Sequence, residues 1–270
     1  TESPFEWRDH ARPPTPLFCS RPNLPGNDTR TPYSVQVERW TKNTTDAFLL
    51  SLCSLNVTSL WLADSSEMLS ALDLTKCMPR LAVLAIELPK IARLDIYQLF
   101  RSLGRLRALR LANVDFDFWH SVSPWSSSIA HLHIENSTLR ELPAWLASST
   151  SLTRLHLKGT RLSSVETVAR MTSLTSMKLS HNEIGSLASV AFQAAAAFDI
   201  DLSHNNITSL GPSTFSACSE LRVLDLSWNP LHELPPRVFQ HWNPLHELPP
   251  RVFQQNGRLK WLKLERTLIQ

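Results

Sequence analysis

Only six of the 270 residues are glycine. That scarcity argues against a glycine-rich loop, whose backbone N–H groups would cradle a phosphate, and no Gly-x-Ser-x-Gly occurs. The four cysteines, Cys19, Cys53, Cys77 and Cys218, include no Cys-x-x-Cys, so a zinc knuckle or a thioredoxin-like redox pair is unsupported. No run of about 18 apolar residues exists, so nothing reads as a membrane-spanning helix. The net charge of +3 is too near balance to suggest a nucleic-acid binder or a polybasic membrane anchor. The opening Thr1-Glu2-Ser3 lacks a basic-then-apolar leader, which was either removed or never there.

What the chain has is leucine at fixed intervals. The pattern LxxLxL runs from Val57-x-x-Leu60-x-Leu62 to Leu259-x-x-Leu262-x-Leu264. With its first residue as position 1, repeats begin at Val57, Leu81, Leu106, Ile129, Leu152, Leu174, Ala197, Leu221 and Leu259. The spacings are 24, 25, 23, 23, 22, 23, 24 and 38. A period in this range marks a solenoid, in which each repeat stacks on its neighbours. Positions 4 and 6 are apolar in every repeat, and the alternation over positions 3 to 7 is that of a strand with one buried face. Position 11 is mostly apolar, and position 19 carries Phe192, Phe215 and Phe239.

Residues 1–56 read as an N-terminal cap. The first 45 hold seven of the eighteen prolines and no leucine beat. Residues 57–270 read as an array of about nine repeats. Its last spacing is long because residues 228–255 contain a tandem copy: Trp228–His241 and Trp242–Gln255 agree at thirteen of fourteen positions. The second copy would put Pro249 and Pro250 at positions 5 and 6, where proline cannot donate to a ladder. It reads as a recent duplication held as a bulge, or as an error of sequence assembly. Removing either copy restores a spacing of 24.

Five Asn-x-Ser/Thr sequons, at Asn27, Asn43, Asn56, Asn136 and Asn206, have no proline at the middle position. Chance supplies roughly one or two in such a chain, so five favour a secreted glycoprotein over unused triplets. Four cysteines are compatible with export.

Stretches such as Ile200–Phe215 (IDLSHNNITSLGPSTF) resemble extracellular leucine-rich repeats of about 24 residues. The resemblance covers residues 57–270. It is weaker in the first three repeats, where position 9 is Ser65, Pro89 and Val114. It implies an α/β solenoid: a horseshoe with a parallel β-sheet on the concave face and a mostly irregular or 3-10 convex side. It also implies that a position-9 asparagine, here Asn182, Asn205 and Asn229, bonds the backbone of adjacent turns in a buried ladder. Arrays of this family often close the core with a disulfide-bearing cap, which points to Cys19–Cys53. Cys77 and Cys218 then read as buried thiols behaving as small hydrophobes, with a Cys53–Cys77 bridge as the main competitor. The chain stops at position 11 of the ninth repeat, so it is expected to be part of a longer protein or to have its end covered by a partner.

Positions 3, 5 and 7 should point out of the concave sheet. Position 5 includes Arg110, His133, His156, Lys178, Asp201 and Asp225, and position 3 includes His131, Arg154 and Asp199. The middle of the face is thus basic and histidine-rich, and the part from Asp199 to Asp225 is acidic. A split of this kind orients a charged protein ligand, and these nine residues are the candidate ligand contacts. His131, His133 and His156 should lie together as a metal site, a pH switch or a solvated face. His181 and His204, at position 8, add little by comparison, and a glycan on Asn136 would shade this part of the face.

No catalytic, metal-binding or cofactor-binding set emerges. Within the family the chain most resembles a Toll-like receptor ectodomain: a divergent cysteine-bearing cap, irregular first repeats, regular later ones and many sequons. That resemblance implies a secreted or cell-surface location, a protein ligand bound through the concave face or its glycan-free flank, and a homodimer or receptor complex as the signalling form. It implies no nucleic-acid partner, and membrane attachment only through a segment outside this chain. The alternative is a secreted interaction protein, such as an immune factor, a matrix protein or a carrier, with no signalling part. A cytosolic enzyme inhibitor of this class would lack sequons and carry longer repeats.

Overall fold

The computed structural model describes residues 17–18, 33–38, 53–64, 77–93, 104–116, 128–232, 240–241, 254–255 and 258–267. Cys19, Asn27, Asn43, Ser65 and Phe239 lie outside them.

The leucine beat becomes a parallel sheet. In chain order the strands are β1 (Leu17–Phe18), β2 (Tyr33–Glu38), β3 (Val57–Ala63), β4 (Val83–Arg93), β5 (Ala108–Asp115), β6 (His131–Glu135) and β7 (Arg154–Lys158). They continue as β8 (Ser176–Lys178), β9 (Asp199–Asp201), β10 (Val223–Asp225), β11 (Gln240–His241), β12 (Gln254–Gln255) and β13 (Trp261–Lys263). All but β11 and β12 form one 11-stranded sheet, each strand beside the next in sequence, with β13 directly after β10. Position 4 stays in register throughout: Leu60 pairs with Leu84, Leu84 with Leu109, and so on to Leu224 with Leu262. Two strands, β1 and β2, precede the first leucine beat, and Val35 and Val37 of β2 enter the core.

The convex side holds little regular structure among the described residues: a 3-10 turn, Ala144–Ser148, and a four-residue α1, Glu166–Ala169. It is held by apolar packing and by close approach. Phe192 and Phe215 at position 19 are fully buried and stack with ring centres 5.7 Å apart. Gly211 lies so near the previous turn that a Cβ there would meet the Ala188 carbonyl oxygen at 2.2 Å. The buried Thr214 hydroxyl fills the remaining gap, accepting from Gly211 N at 2.9 Å and donating to Leu187 O at 3.1 Å.

Position 9 forms the polar spine. Asn205 Oδ1 accepts from Ile184 N (3.1 Å), while its Nδ2 donates to the carbonyls of Leu179, Leu202 and Ser203 (2.9–3.0 Å). Asn229 repeats the pattern one turn on with Ile207 N, Leu202 O, Leu226 O and Ser227 O. Asn182 serves Thr160 and Leu162 on one side and Leu157, Leu179 and Ser180 on the other. Shorter side chains continue the spine. At position 9 of its repeat, Ser137 accepts from Val114 N and donates to Glu135 O, and Thr160 is wholly buried against Asn182.

One residue earlier the chain leaves the strand through a left-handed turn. Position 8 has positive φ at Asp64, Asn113, Asn136, Gly159, His181, His204, Trp228 and Arg266. The geometry is imposed by the stack: in six of these turns the position-8 N–H donates to the position-7 carbonyl of the next, as from His181 to Ser203 and from Trp228 to Glu265. Repeat two is the exception. Pro89 follows its position 8, and a residue before proline is pushed towards extended backbone. β4 accordingly runs on to Arg93, with a register shift between Glu87 and Ala92.

The disulfide differs from the expected pair. Cys53 is bonded to Cys77, not to Cys19, with Cα atoms 4.1 Å apart. Both sit four residues before a position-1 residue (Val57 and Leu81), so stacking brings them face to face in adjacent turns. Joining residues 24 apart, the bridge removes roughly 3 kcal/mol of unfolded-chain entropy. Cys77 is therefore not a free thiol. Cys218 is one, fully buried, with burial pushing its pKa up to about 12, so it packs as a small hydrophobe.

Candidate binding face

The nine candidate contacts all lie on the face of the sheet that points away from the apolar core, in two parallel columns, although His133 is itself buried. Register places His131 beside Arg154, and Arg154 beside Ser176, which precedes Asp199. The other column runs Arg110, His133, His156, Lys178, Asp201, Asp225, Lys263. The basic-to-acidic split seen in sequence is thus laid out along one sheet face.

Much of that charge is already paired. Glu135, at position 7 of β6, bonds the Arg110 guanidinium and lies 3.4 Å from His133 Nε2. The His133 hydrogen bond and the Arg110 charge outweigh burial and hold the Glu135 carboxyl down at about 2. Arg110 also lies over the Trp61 ring at 5.3 Å, a cation–π contact. Across the seam Lys178 Nζ is 3.8 Å from Asp199, and at the far end Lys263 Nζ is 3.2 Å from Asp225. Asp201 is turned onto its own strand exit, accepting from Ser203 N and Oγ. Burial raises the Asp199 pKa, partly offset by Lys178.

The three histidines divide. His133 and His156 meet edge to face with centres 5.4 Å apart. Burial, reinforced by His133, Lys178, Arg154 and His131, pushes the His156 pKa down to about 3. Burial and Arg154 lower that of His131 as well. Among the described residues no group of three or more His, Cys, Asp or Glu is placed to hold a metal ion.

These shifts fix a sign. The unfolded chain protonates His156 from pH 6.5 downward, while the folded one resists until about 3, so stability falls as pH drops through that window. Glu135 contributes stability that is complete above 4.5 and lost as pH falls through about 2. A pH series of urea melts should show His156→Gln flattening the slope between pH 6 and 4, by up to about 1.4 kcal/mol per pH unit. A slope unchanged from that of the unmodified chain would show that His156 takes up protons equally in both states.

Sequence reading missed a second row. At position 8, His181 and His204 stack at 4.1 Å, His204 and Trp228 at 5.0 Å, and Arg266 lies 5.3 Å from the Trp228 ring centre. These flat groups form a ladder along the rim, with Trp228 49% exposed. Trp261, at position 3, is 66% exposed. Glu135 was also overlooked, because position 7 was not read as a column. A list by position shows their shared columns in the sequence, but not the contacts between them. Of the sequons, Asn136 and Asn206 are exposed and Asn56 is half-buried.

Residues 199–248 match the leucine rich repeat family. No curated protein matches the chain in sequence. Among solved structures, the chain is similar to the functional domain of InlJ from Listeria monocytogenes, described as including a cysteine ladder. Identity is 16% and the TM-score 0.50, over 76% of this chain and 40% of that one. It is also similar to an internalin, inlF, from Listeria monocytogenes strain 4b F2365, at 18% identity and TM-score 0.46, over 84% of this chain and 72% of that one. The chain spans less than half the length of the InlJ domain, and at 16% identity that likeness is one of fold.

Proposed function

Starting from a leucine-rich repeat solenoid whose exposed sheet carries an ordered charge pattern, we propose that the chain is the ligand-binding part of a cell-surface receptor ectodomain. It grips a protein partner with its concave face. The observation that carries this reading is the in-register charge split across β5–β10, basic from Arg110 to Lys178 and acidic from Asp199 to Asp225. Patterned charge on a preformed surface gives orientation and specificity to a protein contact. The Cys53–Cys77 bridge supports a secreted or cell-surface setting. The exposed Asn136 and Asn206 are the sequons to which glycans would have access. Irregular early turns followed by regular ones support a Toll-like arrangement, acting as a homodimer or within a receptor complex.

The test is a binding screen of the secreted chain against a panel of extracellular protein domains. A Lys178→Glu/Asp225→Lys variant and a convex-side control, Arg170→Glu, are run beside it. At least one domain should bind, at least about tenfold more weakly to the first variant and equally to the control. Equal loss in both, or no binder in the panel, sinks the reading.

A further inference from the structure

Strand β7 differs from its neighbours in one respect: its charges are unpaired. Its outward side chains are Arg154, His156 and Lys158. Neither Arg154 nor Lys158 makes an ion pair with any described residue. The acid nearest in register to Lys158 is Glu135, which is taken up by Arg110 and His133. On the other side the nearest acid, Asp199, faces Lys178. Two cations therefore stand at the ends of one strand, about 13 Å apart by strand rise.

Resting on the reading of the concave face as protein-binding, we propose that β7 is the docking strip for a short acidic segment of the partner, with Arg154 and Lys158 each taking one of its carboxylates. Arg154 suits a bidentate contact, and Lys158 a point contact. His156 between them is neutral at pH 7, since burial and the surrounding positive groups depress its pKa. It contributes a hydrogen-bonding group without a third charge. The acidic side chains of the segment should be four residues apart in extended conformation, matching positions 3 and 7 of the strand. A long polyanion fits poorly, because Asp199, Asp201 and Asp225 occupy the next strands of the same face.

The probe is a fluorescein-labelled Glu-Ser-Ala-Ser-Glu peptide, with its Gln-Ser-Ala-Ser-Gln counterpart as reference, read by anisotropy at low and high salt against the chain freed of N-glycans, since Asn136 lies beside Lys158. The glutamate peptide should bind, weaken as salt rises, and bind the chain about tenfold less well after either Arg154→Gln or Lys158→Gln. Arg170→Gln should change nothing, and circular-dichroism melts should show every variant folded. Equal binding of the two peptides, or loss in Arg170→Gln to match the β7 variants, overturns the proposal. So does heparin displacing the peptide at lower concentration, which would assign the strip to a polyanion. Failure here is separable from failure of the broader reading. A protein partner sensitive to Lys178→Glu/Asp225→Lys but indifferent to Arg154→Gln and Lys158→Gln leaves that reading standing and removes the strip.

Discussion

Replacing Asn205 by alanine is expected to lower the unfolding free energy by about 3 kcal/mol, while the same change at Asn206, its exposed neighbour, shifts it by less than about 0.5 kcal/mol. The difference is one of position. The Asn205 amide satisfies one N–H and three carbonyls drawn from two turns, all in the interior. Removing it leaves the buried Ile184 N–H without a partner and takes one of two donors from each of the three carbonyls, which keep Asn182, Asn229 and His181 N–H respectively. No single water can restore all four bonds across the two turns. The pair of variants, compared by urea denaturation, separates a spine contribution from ordinary loss of an asparagine. Equal midpoints would mean that the spine is geometric decoration.

Phe215→Ala should be at least as damaging, by about 3–5 kcal/mol, and Phe215→Leu much less, by about 1–1.5 kcal/mol. The ring is wholly buried, stacked on Phe192 and enclosed by convex-side backbone held close by Gly211. That close approach limits collapse into the space alanine would leave, so both the transfer and the cavity contributions apply. Thermal melts of the two variants provide the comparison. An alanine variant no worse than leucine would show that the convex side relaxes freely.

The strands were legible because burial alone positions them. Asp199–Asp201 and Val223–Asp225 are positions 3 to 5 of their repeats, and Ile200 and Leu224 between them fix which side faces in. The asparagine spine was legible for a similar reason, since a polar residue at one fixed step inside an apolar beat has few places to go. Features that depend on what lies across a turn were harder to read. Cys53 and Cys77 share an offset in successive repeats, and that offset, rather than the idea of a cap, brings their sulfurs together. Glu135 pairs with Arg110 and lies against His133 from a column of its own, which turns an apparently basic centre into a partly paired one. The rim ladder of His181, His204 and Trp228 requires bulky residues in left-handed backbone, a placement that no residue preference would suggest. Pro89 was visible as a break in the pattern, but its effect, a strand that fails to turn, follows only once the neighbouring turn is in place.

The sheet passes from β10 to β13 with Val223 opposite Trp261 and Asp225 opposite Lys263, although the copied segment lies between them. A scaffold whose units touch only their neighbours can carry foreign sequence at such a joint while both flanking strands keep their partners. For protein engineering this is a ready-made grafting port. A reporter peptide, a protease site or a small folded domain inserted between the two copies is expected to leave the ordered columns of β10 and β13 unaltered.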